Sequence, residues 1–160
     1  MTNRTLKIGL IGCIMMFFLV FSGPAMAKFT AEEAAKLDAE ANATAEKFLA
    51  DTKGAKELFD NAKGILVCPK IRKAGAGVGA ERGQCVLTTG APEHLYYIST
   101  ALKTGLIVGV SSHSMILLMN TDETLAKFTS GKREWEFGVD ASVAVAKIGV
   151  GGDIDTTNLK

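Results

Sequence analysis

Residues 74–80 restrict this chain more than any others: Ala74, Ala76, Val78 and Ala80 alternate with Gly75, Gly77 and Gly79. Successive residues of a strand point to opposite faces. A strand here has one face made of three glycines that runs on into Glu81. Glycine weakens a strand interior through backbone entropy and lost packing. A run of glycines on one face therefore predicts that something bulky lies close against the backbone. The flanks read as short elements. Residues 65–68 are an apolar run stopped by Pro69, and Lys70, Ile71, Arg72 and Lys73 read as a basic turn. Arg82-Gly83 is a second turn signal, and residues 84–87 read as the returning strand.

The rest of the chain must be built around this segment. Its 160 residues suit one domain. A net charge of +1, with no basic or acidic tail, gives no electrostatic case for nucleic acid. Arg4 and Lys7, the apolar residues 8–21 and the small-x-small site Ala25-Met26-Ala27 read as a signal peptide, residues 1–27, cleaved after Ala27. The apolar run is shorter than an ordinary membrane span of about 20 residues. Leu10-Ile11-Gly12-Cys13 looks like a lipoprotein box, but too few apolar residues precede it. The expected location is the periplasm or the exterior, with peripheral attachment to a membrane open. Cleavage leaves two cysteines, Cys68 and Cys85. An even count in an oxidising compartment favours a disulfide, against the alternative of two small buried thiols. In a flat meander the first and third strands are not neighbours. A bridge therefore requires the first run to pair with the third, or the Pro69 region to fold back over the sheet.

Thr30 and Glu33 form a capping box for an N-terminal helix within residues 28–50. Its packing stripe is mostly alanine and its polar face is net acidic, which favours a solvated helix over a membrane-surface one. Ala55, Leu58, Phe59 and Ala62 give a second helix, starting at Asp51 or Thr52 and ended by Gly64 at C′. Residues 94–99 and 106–112 read as strands, and residues 115–119 as a strand buried on both faces. Asp122 caps a short helix bearing Leu125 and Phe128, ended by Gly131. Trp135, Phe137, Val139, Ala141, Val143 and Val145 then alternate with smaller or polar residues, the pattern of β structure with one apolar face. Residues 149–153 are a second glycine-rich segment.

Catalytic patterns are weak. His94 and His113 lie in separate strand regions, with no cysteine or second histidine at metal spacing. Ser111, Ser112 and Ser114 crowd His113 without a Gly-x-Ser-x-Gly elbow. Gly75-x-Gly77-x-Gly79 has the wrong spacing for dinucleotide binding, and the chain turns back where a helix should begin. No catalytic residue, cofactor or metal is assigned. The positive signal is the basic segment. Lys70, Arg72 and Lys73 can hold an anionic headgroup while Ile71 dips into acyl chains.

The order GILVCP, KAGAGVGAERGQCVL and GVDASVAVAKIGVGGDIDTTN resembles the SYLF domain family. The resemblance covers roughly residues 50–158. It implies acidic-lipid binding without enzymatic activity, through a domain that includes actin-binding members in eukaryotes and secreted, lipid-binding members in bacteria. The expected protein is an α+β domain over residues 51–160, a curved and mainly antiparallel sheet or partial barrel covered by a few helices. Its expected function is non-enzymatic binding of phospholipid, or of a membrane surface, in a bacterial cell envelope. The candidate lipid-binding residues are Lys70, Ile71, Arg72, Lys73, Gly75, Gly77 and Gly79. The alternatives are a structural or protein-interaction module of the periplasm, and a hydrolase using His113 and a nearby serine.

Overall fold

The computed structural model describes residues 29–130, 143–149 and 154–157, and at 103–107 and 154–157 it describes the backbone alone. The expected leader and the part of the alternating tail from Trp135 to Ala141 lie outside the described residues.

The first helix, α1 (Ala31–Asp51), starts where its capping box directs. The Thr30 hydroxyl accepts from the Glu33 N–H at 3.2 Å, and the Thr30 N–H donates to Glu33 Oε2 at 2.9 Å. These contacts hold the Glu33 carboxyl below the usual carboxylate range, since both the Thr30 N–H and its hydroxyl favour the charged form. Leu37, Ala41 and Phe48 form the buried stripe of α1. The second helix, α2 (Ala55–Asn61), is shorter than its stripe predicts. Because α1 runs through Asp51, the expected start at Asp51 or Thr52 is already taken. The chain re-enters the helix through Gly54, at a left-handed φ of 81°. Gly64 is not the helix cap. It opens the next strand, buried where a Cβ would meet Leu125 Cδ1 at 2.8 Å.

What reads as three elements is one long strand, β1 (Gly64–Thr89). It pairs antiparallel with β2 (Leu95–Met119), in register from Gly64 opposite Met119 to Leu87 opposite Leu95. After α3 (Asp122–Thr129), capped by Thr121 rather than Asp122, come β3 (Val143–Ile148) and β4 (Ile154–Thr157). The four strands form one antiparallel sheet in the order β1-β2-β3-β4, so the fold is α+β with an open sheet.

The long hairpin is doubled over. Seventeen residues of straight strand would separate Cys68 from Cys85 by about 55 Å. Their Cα atoms are 4.1 Å apart and their sulfurs are bonded. The bend lies at Gly77, whose φ is 78°. There the register shifts, so that this one residue stands opposite residues 105–107 of β2. Gly75 and Gly79, on either side of the bend, are in backbone contact, and a Cβ on Gly75 would also meet the Val78 carbonyl oxygen at 2.6 Å. Further along, a Cβ on Gly83 would meet Ile71 Cγ1 at 2.8 Å and Lys70 O at 3.0 Å. The bulky neighbour that the glycines make room for is the other arm of their own strand.

Two cores fill the molecule. Residues 115–119 are buried on both faces, as their apolar run predicts. Ile116 and Leu118 join Val67, Val86, Ala144, Ala146 and Ile148 beneath Leu37, Ala41 and Phe48 of α1. Met115, Leu117 and Met119 join Leu66, Ile71, Leu87, Val143 and Val145, with Leu125 and Phe128 of α3 packed against them. The expected single apolar face fails over residues 143–146, because Ala144 and Ala146 are buried in the core under α1. Alanine at these positions supplies a second apolar face that period-two counting reads as the weaker side.

Candidate functional site

The basic segment is strand, not turn. Lys70 and Arg72 are exposed on the outer side of the doubled ribbon, while Lys73 is half-buried on the opposite side. Pro69 has no N–H to give the ladder, and the register shifts between Cys68 and Ile71. The Ser114 hydroxyl donates to the Pro69 carbonyl at 2.7 Å, tying β2 to β1 at that shift. Ile71 is 3 % exposed and sits in the second core beneath Gly83. This corrects the expectation that Ile71 dips into acyl chains, because the fold-back closes over it. The glycine face is corrected in the same way. Gly75 and Gly79 occupy the space that a ligand would need. Gly77 is exposed with nothing within 4 Å of its Cβ position, and its glycine is demanded by φ instead.

The outer face at the bend is apolar. Ala74 stands opposite Val110, Ala76 opposite Val108 and Ala80 opposite Leu102. Directly opposed residues of an antiparallel pair project to the same side. Small side chains on β1 therefore leave the large ones of β2 uncovered. Leu102 is 80 % exposed, Val108 87 %, Val110 82 % and Val78 65 %. Contiguous apolar groups left in water mark interaction surfaces, whereas single ones do not. Lys70 and Arg72 precede this stretch of β1 and Arg82 follows it, and all three are exposed. Sequence reading missed Leu102, Val108 and Val110. The available signal was their large size opposite a partner strand of alanine and glycine, but the pairing had to be known first.

Asp38 of α1 accepts from the Tyr96 hydroxyl at 2.9 Å and lies 3.0 Å from His94 Nδ1, clasping the helix to the start of β2. Burial, and then the Asp38 carboxylate, push the Tyr96 hydroxyl above its ordinary value. His113 stands opposite Ile71 in the register, and the neighbouring Ser114 hydroxyl is directed to Pro69. Among the described residues no group of three or more His, Cys, Asp or Glu is placed to hold a metal ion. No helix among them is long and apolar enough to cross a membrane.

No curated protein matches the chain. Residues 100–160 match the model of the family Ysc84, described as Las17-binding protein actin regulator. That match covers less than half of the chain, but it includes the exposed Leu102, Val108 and Val110. Residues 100–160, which span most of β2 together with α3, β3 and β4, are thus similar to the Ysc84 family, consistent with the SYLF resemblance of the glycine-rich segments.

Proposed function

We propose that this protein binds phospholipid surfaces in a bacterial cell envelope, without catalysis, and that the bend of its doubled hairpin is the part that enters the lipid. The observation that carries the reading is the apolar ridge of Leu102, Val108, Val110 and Val78, more than half exposed at every position. Moving such side chains out of water is worth about 1.5–3 kcal/mol each when burial is complete. The basic residues Lys70, Arg72 and Arg82 beside the ridge suit an anionic surface, where each cation contributes about 1 kcal/mol. Export by residues 1–27 would deliver the chain to such a surface. The ridge is also the reason to keep a protein partner as the second reading, since the matching family is described by a protein that it binds.

Co-sedimentation with anionic and with neutral vesicles tests the proposal. The triple variant Leu102→Gln, Val108→Gln, Val110→Gln should lose most binding to both. Replacing Lys70, Arg72 and Arg82 with Gln should weaken binding to anionic vesicles by about a hundredfold and leave neutral vesicles nearly unaffected. If the wild-type protein stays in solution with both vesicle types, the lipid reading is wrong and the ridge belongs to a protein partner.

A further inference from the structure

The doubling of β1 creates a second feature, on the α1 side. A groove of about 550 Å³ runs between α1 and β1. Four cationic side chains line it: Lys36 from α1, Lys70 and Arg72 from the first arm of β1, and Arg82 from the second. Glu33 and Glu40 are the acidic residues of the lining, so the groove is net positive. Glu33 is partly committed elsewhere, because its Oε2 accepts from both the N–H and the hydroxyl of Thr30. None of the four cations is paired with a carboxylate among the described residues, where the ion pairs are Lys56 with Asp60 and His94 with Asp38.

The arms meet here for a definite reason. Gly83 has no side chain, so its backbone lies against Lys70 O and Ile71, and the bonded Cys68 and Cys85 hold the same two arms a few residues away. Arg82 is thereby brought to the groove that Lys70 and Arg72 already line, although ten residues of chain separate it from Arg72. Convergent guanidinium groups give directional, charge-assisted hydrogen bonds to phosphate oxygens. We infer that this groove is a binding site for a single phosphate group, assembled by the fold-back of β1 and held in shape by the disulfide. It deepens the lipid reading by adding a headgroup site beside the apolar ridge.

The shared chemistry is a phosphate, borne by a lipid or free in solution. An NMR titration of the full chain at constant ionic strength separates these sources, using inorganic phosphate in one arm and dihexanoyl phosphatidylglycerol below its micelle concentration in the other. Saturable shifts are expected at the side-chain Nε–H groups of Arg72 and Arg82. The double variant Arg72→Gln, Arg82→Gln should weaken binding by at least about tenfold. If that variant loses stability, Arg72→Lys, Arg82→Lys keeps the charge but not the planar fork, and should still bind more weakly than wild type. Binding of the short-chain lipid, with or without inorganic phosphate, assigns the groove to a headgroup. Binding of phosphate alone assigns it to the free anion. No saturable shift with either, or equal affinity in wild type and both variants, overturns the inference. Because no bilayer is present, failure here leaves the proposal for the ridge standing, and failure with vesicles leaves the groove standing.

Discussion

At the scale of single residues, the glycines of β1 make two different demands. Gly83 is fixed by space, since its Cβ position lies 2.8 Å from Ile71 Cγ1 and 3.1 Å from Ile71 Cα. Gly77 is fixed by conformation, with φ at 78° and open space around it. Gly83→Val should therefore cost at least about 1–3 kcal/mol by overpacking. Gly77→Ala should cost about 1–2 kcal/mol, from left-handed backbone alone. Urea denaturation separates the causes: Gly77→Asn, which tolerates left-handed backbone, should cost less than Gly77→Ala, whereas at Gly83 alanine should already cost through contact with Ile71 and valine more. Equal losses for Gly83→Ala and Gly83→Val, both near zero, would mean that the arms do not touch there. At the start of α1, Thr30→Ala should cost about 1 kcal/mol at neutral pH. The Glu33 carboxyl titrates below its unfolded value, so the stability it adds is present above the ordinary carboxylate pKa and is lost as pH falls through its folded pKa. The difference between wild type and Thr30→Ala should accordingly shrink on acidification, as denaturation at neutral pH and at about pH 3 would show.

At the scale of elements, the disulfide is the test of the fold-back. Replacing Cys68 and Cys85 together with Ser should cost about 3 kcal/mol, the expectation for a closed loop of this size. Oxidised, denatured protein should show no titratable thiol among these two positions, and two reactive thiols there would contradict the doubled strand. The elements that were legible in the sequence are those settled by near neighbours. The capping box at Thr30 and Glu33, the stripe of α1 and the doubly buried run at residues 115–119 all follow from local spacing. The unbroken course of β1 was not legible. Pro69 and Arg82-Gly83 carry turn signals, yet β2 pairs directly with Arg82 and Gly83, and its ladder resumes at Ile71 after the shift at Pro69, so the strand runs through both. Ile71, flanked by Lys70 and Arg72, gives no local hint that a distant glycine will bury it. The glycine alternation did announce a close neighbour, but not that the neighbour was the strand itself. The candidate site was legible in its cations and missed in its apolar part for the same reason. Exposure of Leu102 and Val108 depends on which residues of β1 lie across from them.

At the scale of the whole molecule, the doubled hairpin divides the labour between its two ends. The base, near the disulfide, is packed on both faces by α1, α2 and α3. Next to the bend, Val78, Leu102, Val108 and Val110 are left in water. Basic residues flank the bend in β1 and line the groove beside α1. On the proposed reading, this packed base carries exposed apolar residues and nearby cations into an anionic surface without unfolding. The most direct test places a fluorescent probe at the tip. Val108→Trp in a Trp135→Phe background, with anionic vesicles carrying brominated acyl chains, reports whether the bend reaches the hydrocarbon. The account predicts a blue-shifted emission on vesicle addition and strong quenching by the bromines, with neither effect for Asn42→Trp on the exposed face of α1 in the same background. Emission from Val108→Trp that vesicles leave unchanged, or quenching no greater than at Asn42→Trp, would contradict it.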